Sequence, residues 1–145
     1  MHPFLGLLIG AASPDKLGYI PYAGENSWSA CNSVDAGLLY VEALEKAEAG
    51  TAVHAVQEFI RIKNIAEALG KKTGHKVAEA DKEALGGGKL GWLSFLLGMN
   101  QDVGTSWTRE TFGWEPSGQK LLEEVEQAEK AYFDIENSAY VGGGK

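Results

Sequence analysis

The stretch Ser106–Gln127, SWTRETFGWEPSGQKLLEEVEQ, predicts a short helix, a turn and a longer helix. Gly-Trp-Glu-Pro forms the turn, where proline interrupts helical hydrogen bonding. In the second helix, apolar residues recur at helical spacing and acidic residues take the opposite face. The apolar positions are Leu121, Leu122, Val125 and Ala128. We therefore predict a helix with a solvated acidic face that runs to about Phe133.

Upstream of this stretch, helical and strand patterns alternate. Strands are predicted in GYIPYA, TAVHAVQE and HKVAEA, which are short and rich in β-forming residues. Five helices are predicted. The first covers Phe4–Ala12, the second follows an Asp35 cap and ends at Gly50, and the third runs from Ile60 to Gly70 or Gly74. A short fourth helix follows an Asp81 cap, and the fifth covers Lys89–Asn100 and is expected to be buried on most sides. This alternation is typical of an α/β protein with too few strands for a whole sheet.

The helix predicted after Asp35 carries a dense apolar stripe. Its members are Leu38, Leu39, Val41, Ala43 and Leu44. Such a stripe normally faces a core.

Composition and charge indicate one soluble globular domain. The 145 residues are 44% hydrophobic and 23% charged, with a net charge of −7. Because phosphate binding needs a basic face, nucleic acid and anionic membranes are not expected partners. The single cysteine, Cys31, allows no intrachain disulfide, so we expect a cytoplasmic protein in which this thiol is buried and structural.

The apolar start FLGLLIGAAS is too short to cross a bilayer. It has the length of a signal-peptide core but lacks a preceding Lys or Arg. Alternatively, Phe4, Leu7, Leu8 and Ala11 fall on one face of a helix. The sequence leaves both interpretations open.

Other motifs carry little specificity. Gly86 to Gly91 matches G-x-G-x-x-G, but a helical segment precedes it and Ser106 stands where a dinucleotide site needs an acidic residue. An interhelical loop is the simpler interpretation. The histidines show no metal-ligand spacing, and His54 is expected to be half-buried within a strand.

Three stretches together resemble the C-terminal part of extended or atypical short-chain dehydrogenase/reductases, the NAD-dependent epimerase/dehydratase-like group. YAGENSWSACNSVDAGLLYVEALEKA is similar to that group's G-x-G-x-N-x-W-x-x-V-H-x-x-D-x-A segment. GTAVHAVQEFIRIKNIAEALGKKTG is similar to its H-A-V-x-E strand and I-A-E-A-I-G helix. Ser106–Gln127 is similar to its S-x-x-T-R-x-x-L-G-W-x-P-T-G close.

The resemblance implies a Rossmann-type reductase that binds NAD or NADP and uses a Tyr-x-x-x-Lys pair for proton transfer. This sequence has no such pair: the residues four positions after its tyrosines are Ala23, Asn26, Leu44, Glu136 and Gly144. We therefore expect a helix-rich α/β lobe with two to four short strands over residues 1–136 and a flexible tail over 137–145. The expected lobe lacks the dinucleotide-binding half, so the chain alone binds no cofactor.

The resemblance also places Asn26, Trp28, Asn32 and Arg109 at a substrate site. In nucleotide-sugar members of the group, an arginine near the position of Trp28 holds the phosphates of the substrate. The Trp28 indole cannot make that bidentate contact. A small carbonyl or alcohol is the expected substrate.

Structural roles remain open for the same residues. Asn26 would form a turn, Trp28 would fill the core, Asn32 would bond to backbone, and Arg109 would pair with Glu110 or Glu115.

The predicted function is the substrate-side part of an NAD(P)-dependent oxidoreductase, inactive as an isolated chain. The alternative is a non-enzymatic interaction module or truncated gene product derived from that family. Expected partners are a small-molecule substrate and either a complementary dinucleotide-binding half or a second copy of the chain.

Overall fold

The structure, a computed structural model, describes residues 3–86 and 88–133. The predicted flexible tail lies outside these residues. The helices are α1 (Pro3–Gly10), α2 (Ser33–Lys46), α3 (Ile62–Thr73), α4 (Lys82–Leu85), α5 (Trp92–Gly98), α6 (Ser106–Phe112) and α7 (Leu121–Gln127). The strands are β1 (Ile20–Tyr22), β2 (Ser27–Ala30), β3 (Glu58–Arg61) and β4 (Val77–Glu79), and a 3₁₀ turn covers Lys130–Phe133. The chain is α/β and rich in helix, as predicted.

The strands of the described residues form two separate pairs. β1 pairs in parallel with β4, whereas β2 pairs antiparallel with β3, with Trp28 opposite Ile60. GYIPYA and TAVHAVQE, which a Rossmann-type reductase would place in one mostly parallel sheet, do not share a sheet in the described residues.

The predicted strand TAVHAVQE is a loop, and the strand begins only at Glu58. Side chains of α6 and of Thr105, which precedes it, form hydrogen bonds with the backbone groups of this loop. Thr108 Oγ1 accepts from the His54 N–H, Thr105 Oγ1 donates to the His54 carbonyl, and Arg109 donates to the Val56 carbonyl. Because these groups already have partners, the loop needs no neighbouring strand. His54 is exposed rather than half-buried.

Several helix boundaries differ from expectation, among them the end of α2, which falls at Lys46 rather than at Gly50. Asn32, not Asp35, caps α2, since its side chain accepts from the Val34 N–H at 2.9 Å. α7 ends at Gln127 rather than near Phe133, because Ala128 takes an extended conformation. The expected ends at Gly74, where φ is +83°, and the Asp81 cap of α4 are confirmed.

The main core lies between α1, α3, β1 and α5. Leu8, Ile9, Ile20, Ile65, Leu69 and Leu97 are almost fully buried there. α1 is more completely buried than a single apolar face would require. No helix in the described ranges is long and apolar enough to span a membrane.

Two helices expose apolar faces that the sequence predicted to be covered. On α2, Leu39 is buried, but Leu38, Val41 and Leu44 are 58%, 53% and 79% exposed. On α5, Trp92 and Phe95 are 58% and 69% exposed, so this helix is not buried on most sides.

Candidate functional site

A cavity of about 380 Å³ opens where α1, the β2–β3 pair and the start of α7 meet. Its size falls at the small end of ligand pockets in proteins, roughly 300–1,000 Å³. The residues that line it are Phe4, Leu5, Trp28, Ser29, Ala30, Cys31, Asn32, Ser33, Gln57, Glu58, Ile60, Ile65, Leu96, Gln101, Gln119, Leu121, Glu124 and Tyr132. The cavity is therefore lined by both apolar and polar side chains.

Trp28 forms part of the aromatic wall. It lies in strand β2, not on a turn as the sequence suggested, and pairing with Ile60 fixes its direction. Only 7% of its surface is exposed, and its indole N–H donates to the Leu96 carbonyl at 3.4 Å. The Phe4 ring packs at 5.5 Å with a tilt of 58°. Both the pocket role and the core role predicted for Trp28 are thus compatible with its position.

Asn32 lies on the polar side of the same cavity. Besides capping α2, it donates from Nδ2 to the Gln119 carbonyl at 3.3 Å. Its backbone N–H donates to Gln57 Oε1 at 3.1 Å. A side-chain amide has two N–H donors, and one of them is engaged with Gln119. The Asn32 amide is therefore fixed in place while it retains a second donor.

The segment after α6 closes this polar side. Gln57 Nε2 donates to the Gly118 carbonyl at 2.6 Å, and Glu58 Oε1 accepts from the Leu121 N–H at 2.9 Å. Asp35, 4% exposed, accepts from the Gly118 N–H and from Trp114 Nε1 through its carbonyl. These hydrogen bonds, made within and just after the Gly-Trp-Glu-Pro turn, hold the segment before α7 against the start of α2.

Asn26 and Arg109 lie outside the set that lines the cavity. Asn26 Nδ2 donates to the Leu97 carbonyl at 2.8 Å, which ties β2 to α5. Arg109 Nη2 donates to the Val56 and Gln57 carbonyls at 3.1 and 3.2 Å, and its guanidinium lies 5.7 Å from the Trp114 ring centre. Neither predicted partner of Arg109, Glu110 or Glu115, takes part in these contacts. Arg109 positions Gln57 rather than facing the cavity itself.

The cavity is acidic. Glu58 and Glu124 line it, and none of the described residues that line it is a Lys, Arg or His. Cys31 is partly buried in the wall, and burial, followed by the charge of Asp35, raises the pKa of its thiol. A protonated thiol is a weak nucleophile, which agrees with a structural role.

Sequence reasoning missed several cavity residues. Phe4, Gln57, Gln119 and Glu124 come from four separate segments, and no local pattern joins them. Glu58 carried a signal, because it is the Glu of the stretch similar to H-A-V-x-E.

Two cofactor hypotheses can be compared with the described residues, a metal site and a dinucleotide site at the glycine run. They contain no group of three or more His, Cys, Asp and Glu placed to hold a metal ion. Around the glycine run, the short α4 precedes Gly86 and the seven-residue α5 follows Gly91, so the strand that a phosphate-binding turn requires is missing there. We assign no step of any reaction to a cofactor held by this chain.

Comparison with known proteins gives one informative relative. The chain is 34% identical over 133 residues to the uncharacterized protein C2A9.02 of Schizosaccharomyces pombe, a match that covers 91% of this chain. It covers 44% of the relative, so the chain spans less than half of that protein's length. No protein-family profile matches the chain. No solved structure matches it either.

Proposed function

We propose that the chain is the substrate-side lobe of an NAD(P)-dependent oxidoreductase of the short-chain dehydrogenase/epimerase-like class, acting on a small carbonyl or alcohol. The observation that carries the proposal is the cavity. Trp28 and Asn32, both selected as substrate residues from the resemblance, lie on its wall. Asn26 and Arg109 act in this proposal as positioning residues.

The cavity's chemistry suits a compact, weakly polar ligand. Trp28, Ile60 and Leu96 offer apolar contact, and the second N–H of Asn32 can donate to a carbonyl or hydroxyl oxygen. Ser29 donates to the Gln101 carbonyl at 2.5 Å, and Gln57 is bonded at both ends of its amide. The Ser29 hydroxyl and the Gln57 amide are therefore already engaged within the chain.

The proposal requires a separate dinucleotide-binding part, since the sequence has no Tyr-x-x-x-Lys pair and its glycine run does not fit a dinucleotide site. NAD or NADP is implied only by the resemblance. In the protein from S. pombe, more than half of the length lies outside the match, enough for a further domain. We place such an enzyme in the cytoplasm.

The exposed face of α2 is the proposed contact with that part. Val34, Leu38, Val41 and Leu44 cover one side of the helix, and an apolar groove of about 510 Å³ runs along the edge formed by Tyr40 and Leu44. A helix that is apolar on most sides is normally buried. Glu45 and Glu48 lie on or beside this helix, and Glu42 pairs with Lys46, so a second copy would bring the like charges of Glu45 and Glu48 together. A partner with basic residues around an apolar centre fits better.

The same α2 face favours one alternative, a non-enzymatic interaction module that uses α2 alone. Ligand binding in the cavity separates the two functions. An interaction module needs no occupant there, whereas a substrate lobe does.

The test is protein-observed NMR with small aldehydes, ketones and alcohols. We expect the indole N–H of Trp28, assigned with Trp28→Phe, and the side-chain amide of Asn32 to shift together and saturably. The other indoles, such as that of the exposed Trp107, serve as internal controls. If no compound moves the Trp28 and Asn32 signals together, the substrate-lobe proposal is wrong.

A further inference from the structure

Resting on the proposed function, we propose that the cavity selects its ligand by charge: it accepts a compact aromatic or apolar group that is neutral or cationic, and rejects carboxylates and phosphates. The class that fits best is an organic cation, such as an amine carried next to an aromatic ring. The observation is the juxtaposition of an aromatic wall with two carboxylates in one small cavity.

The aromatic wall is formed by Phe4 and Trp28. Their ring centres lie 5.5 Å apart at 58°, so both contribute surface to the same end of the cavity. Aromatic faces attract cations through their quadrupole, and tryptophan does so most strongly. An aromatic ligand also packs well against tilted rings.

The carboxylates come from two directions. Glu58 enters from the start of β3, where the Leu121 N–H holds one of its oxygens at 2.9 Å. Glu124, on α7 one turn after Leu121, also lines the cavity, although its side chain is exposed. Glu58 is half-buried, so its charge is less screened than that of a surface residue.

An anionic ligand would find no compensation in this cavity. Within the described part of the chain no basic side chain lines it, and Arg109 is bonded to the Val56 and Gln57 carbonyls outside it. A buried anion needs a counter-charge or several hydrogen-bond donors. The two carboxylates that line the cavity would instead repel an anion.

The test compares benzylamine, benzyl alcohol and benzoate, which share a shape and differ in charge at neutral pH. Affinities are measured by NMR titration on the Trp28 and Asn32 signals. We expect benzylamine to bind roughly tenfold more tightly than benzoate, the alcohol lying between them. Glu58→Gln with Glu124→Gln should reduce that ratio to below about threefold. Glu126→Gln, on α7 but outside the cavity, is the matched control and should leave the ratio unchanged.

Three outcomes overturn the inference. If benzoate binds as tightly as benzylamine while the alcohol binds, charge selection is wrong and the substrate lobe stands. Charge selection is also wrong, and the substrate lobe stands, if Glu126→Gln changes the ratio of benzylamine to benzoate affinity as much as the cavity variants do. The effect would then come from the net charge of the chain. If none of the three probes binds and no aldehyde or ketone does, the inference falls together with the proposed function.

Discussion

The backbone N–H of Gly118 donates a 2.7 Å hydrogen bond to the buried carboxylate of Asp35. These residues are 83 positions apart in sequence. Their contact, with the bond from Gln57 to the Gly118 carbonyl, fixes the polar wall of the cavity. The site therefore depends on a glycine that does not face the ligand.

Gly118→Ala should destabilise the fold. A Cβ at this position would lie 2.7 Å from Asn32 Cγ and 2.8 Å from Asp35 Oδ2, closer than atoms can approach. We expect a loss of about 1–3 kcal/mol in the free energy of unfolding, measured by urea denaturation.

The matched control is Gly37→Ala within α2, where no atom lies within 4 Å of the added Cβ. Alanine favours helix over glycine, so this variant should gain about 0.5–1 kcal/mol. Equal stability of the two variants would contradict the close approach at Gly118.

Asn32 variants separate its capping role from its contact with Gln119. Asn32→Ser keeps an oxygen that accepts from the Val34 N–H, whereas Asn32→Ala does not. We expect the alanine variant to be less stable than the serine variant by about 1 kcal/mol in thermal or urea unfolding. Both should weaken alcohol binding in the cavity, because both lose the Nδ2 donor. Undiminished binding in both variants would show that Asn32 does not contact the ligand.

The α2 face should be replaceable without harm to the fold. Leu38→Gln with Leu44→Gln changes side chains that are 58% and 79% exposed, so we expect stability to change by less than about 0.5 kcal/mol. Binding of a hydrophobic dye should decrease. Leu39→Ala on the buried side of the same helix is the contrast and should cost about 2–5 kcal/mol. A large loss of stability in the double variant would mean that this face is already part of the lobe's own packing.

Cys31 should react slowly with thiol reagents. Burial raises the pKa of its thiol, and the neighbouring Asp35 charge acts in the same direction. A raised pKa means a smaller thiolate fraction at any given pH, and the thiolate is the reactive form. We expect Ellman's reagent to modify the folded chain more slowly than the urea-unfolded chain at pH 8, with the difference narrowing as pH rises. Faster reaction of the folded chain would show an activated thiol.

Local patterns sufficed to predict features whose causes are local. The apolar spacing of α3, its end at Gly74 and the Asp81 cap of α4 depend on residues within one or two helical turns. The inward face of α7 around Val125 belongs to the same group. Trp28 and Asn32 were selected from a resemblance that spans most of the chain.

Features that depend on residues far apart in the sequence were not predicted. TAVHAVQE has the composition of a strand, but Thr108 and Arg109, about fifty residues later, occupy its backbone groups. Asp35 and Asn32 are both good caps; Asn32 caps α2, whereas the Asp35 carboxylate accepts from the N–H of the distant Gly118. Residues from six segments line the cavity, so the sequence could not show that Glu58 and Glu124 share it.

The most direct test of the central claim is a calorimetric titration of NADH and NADPH into two proteins under identical conditions: this chain, and the full-length relative from S. pombe. The account predicts saturable, micromolar binding of one dinucleotide to the relative and no saturable binding to this chain. If the relative binds neither dinucleotide, or if this chain binds one on its own, the assignment as the substrate-side lobe of a dinucleotide-dependent oxidoreductase is contradicted.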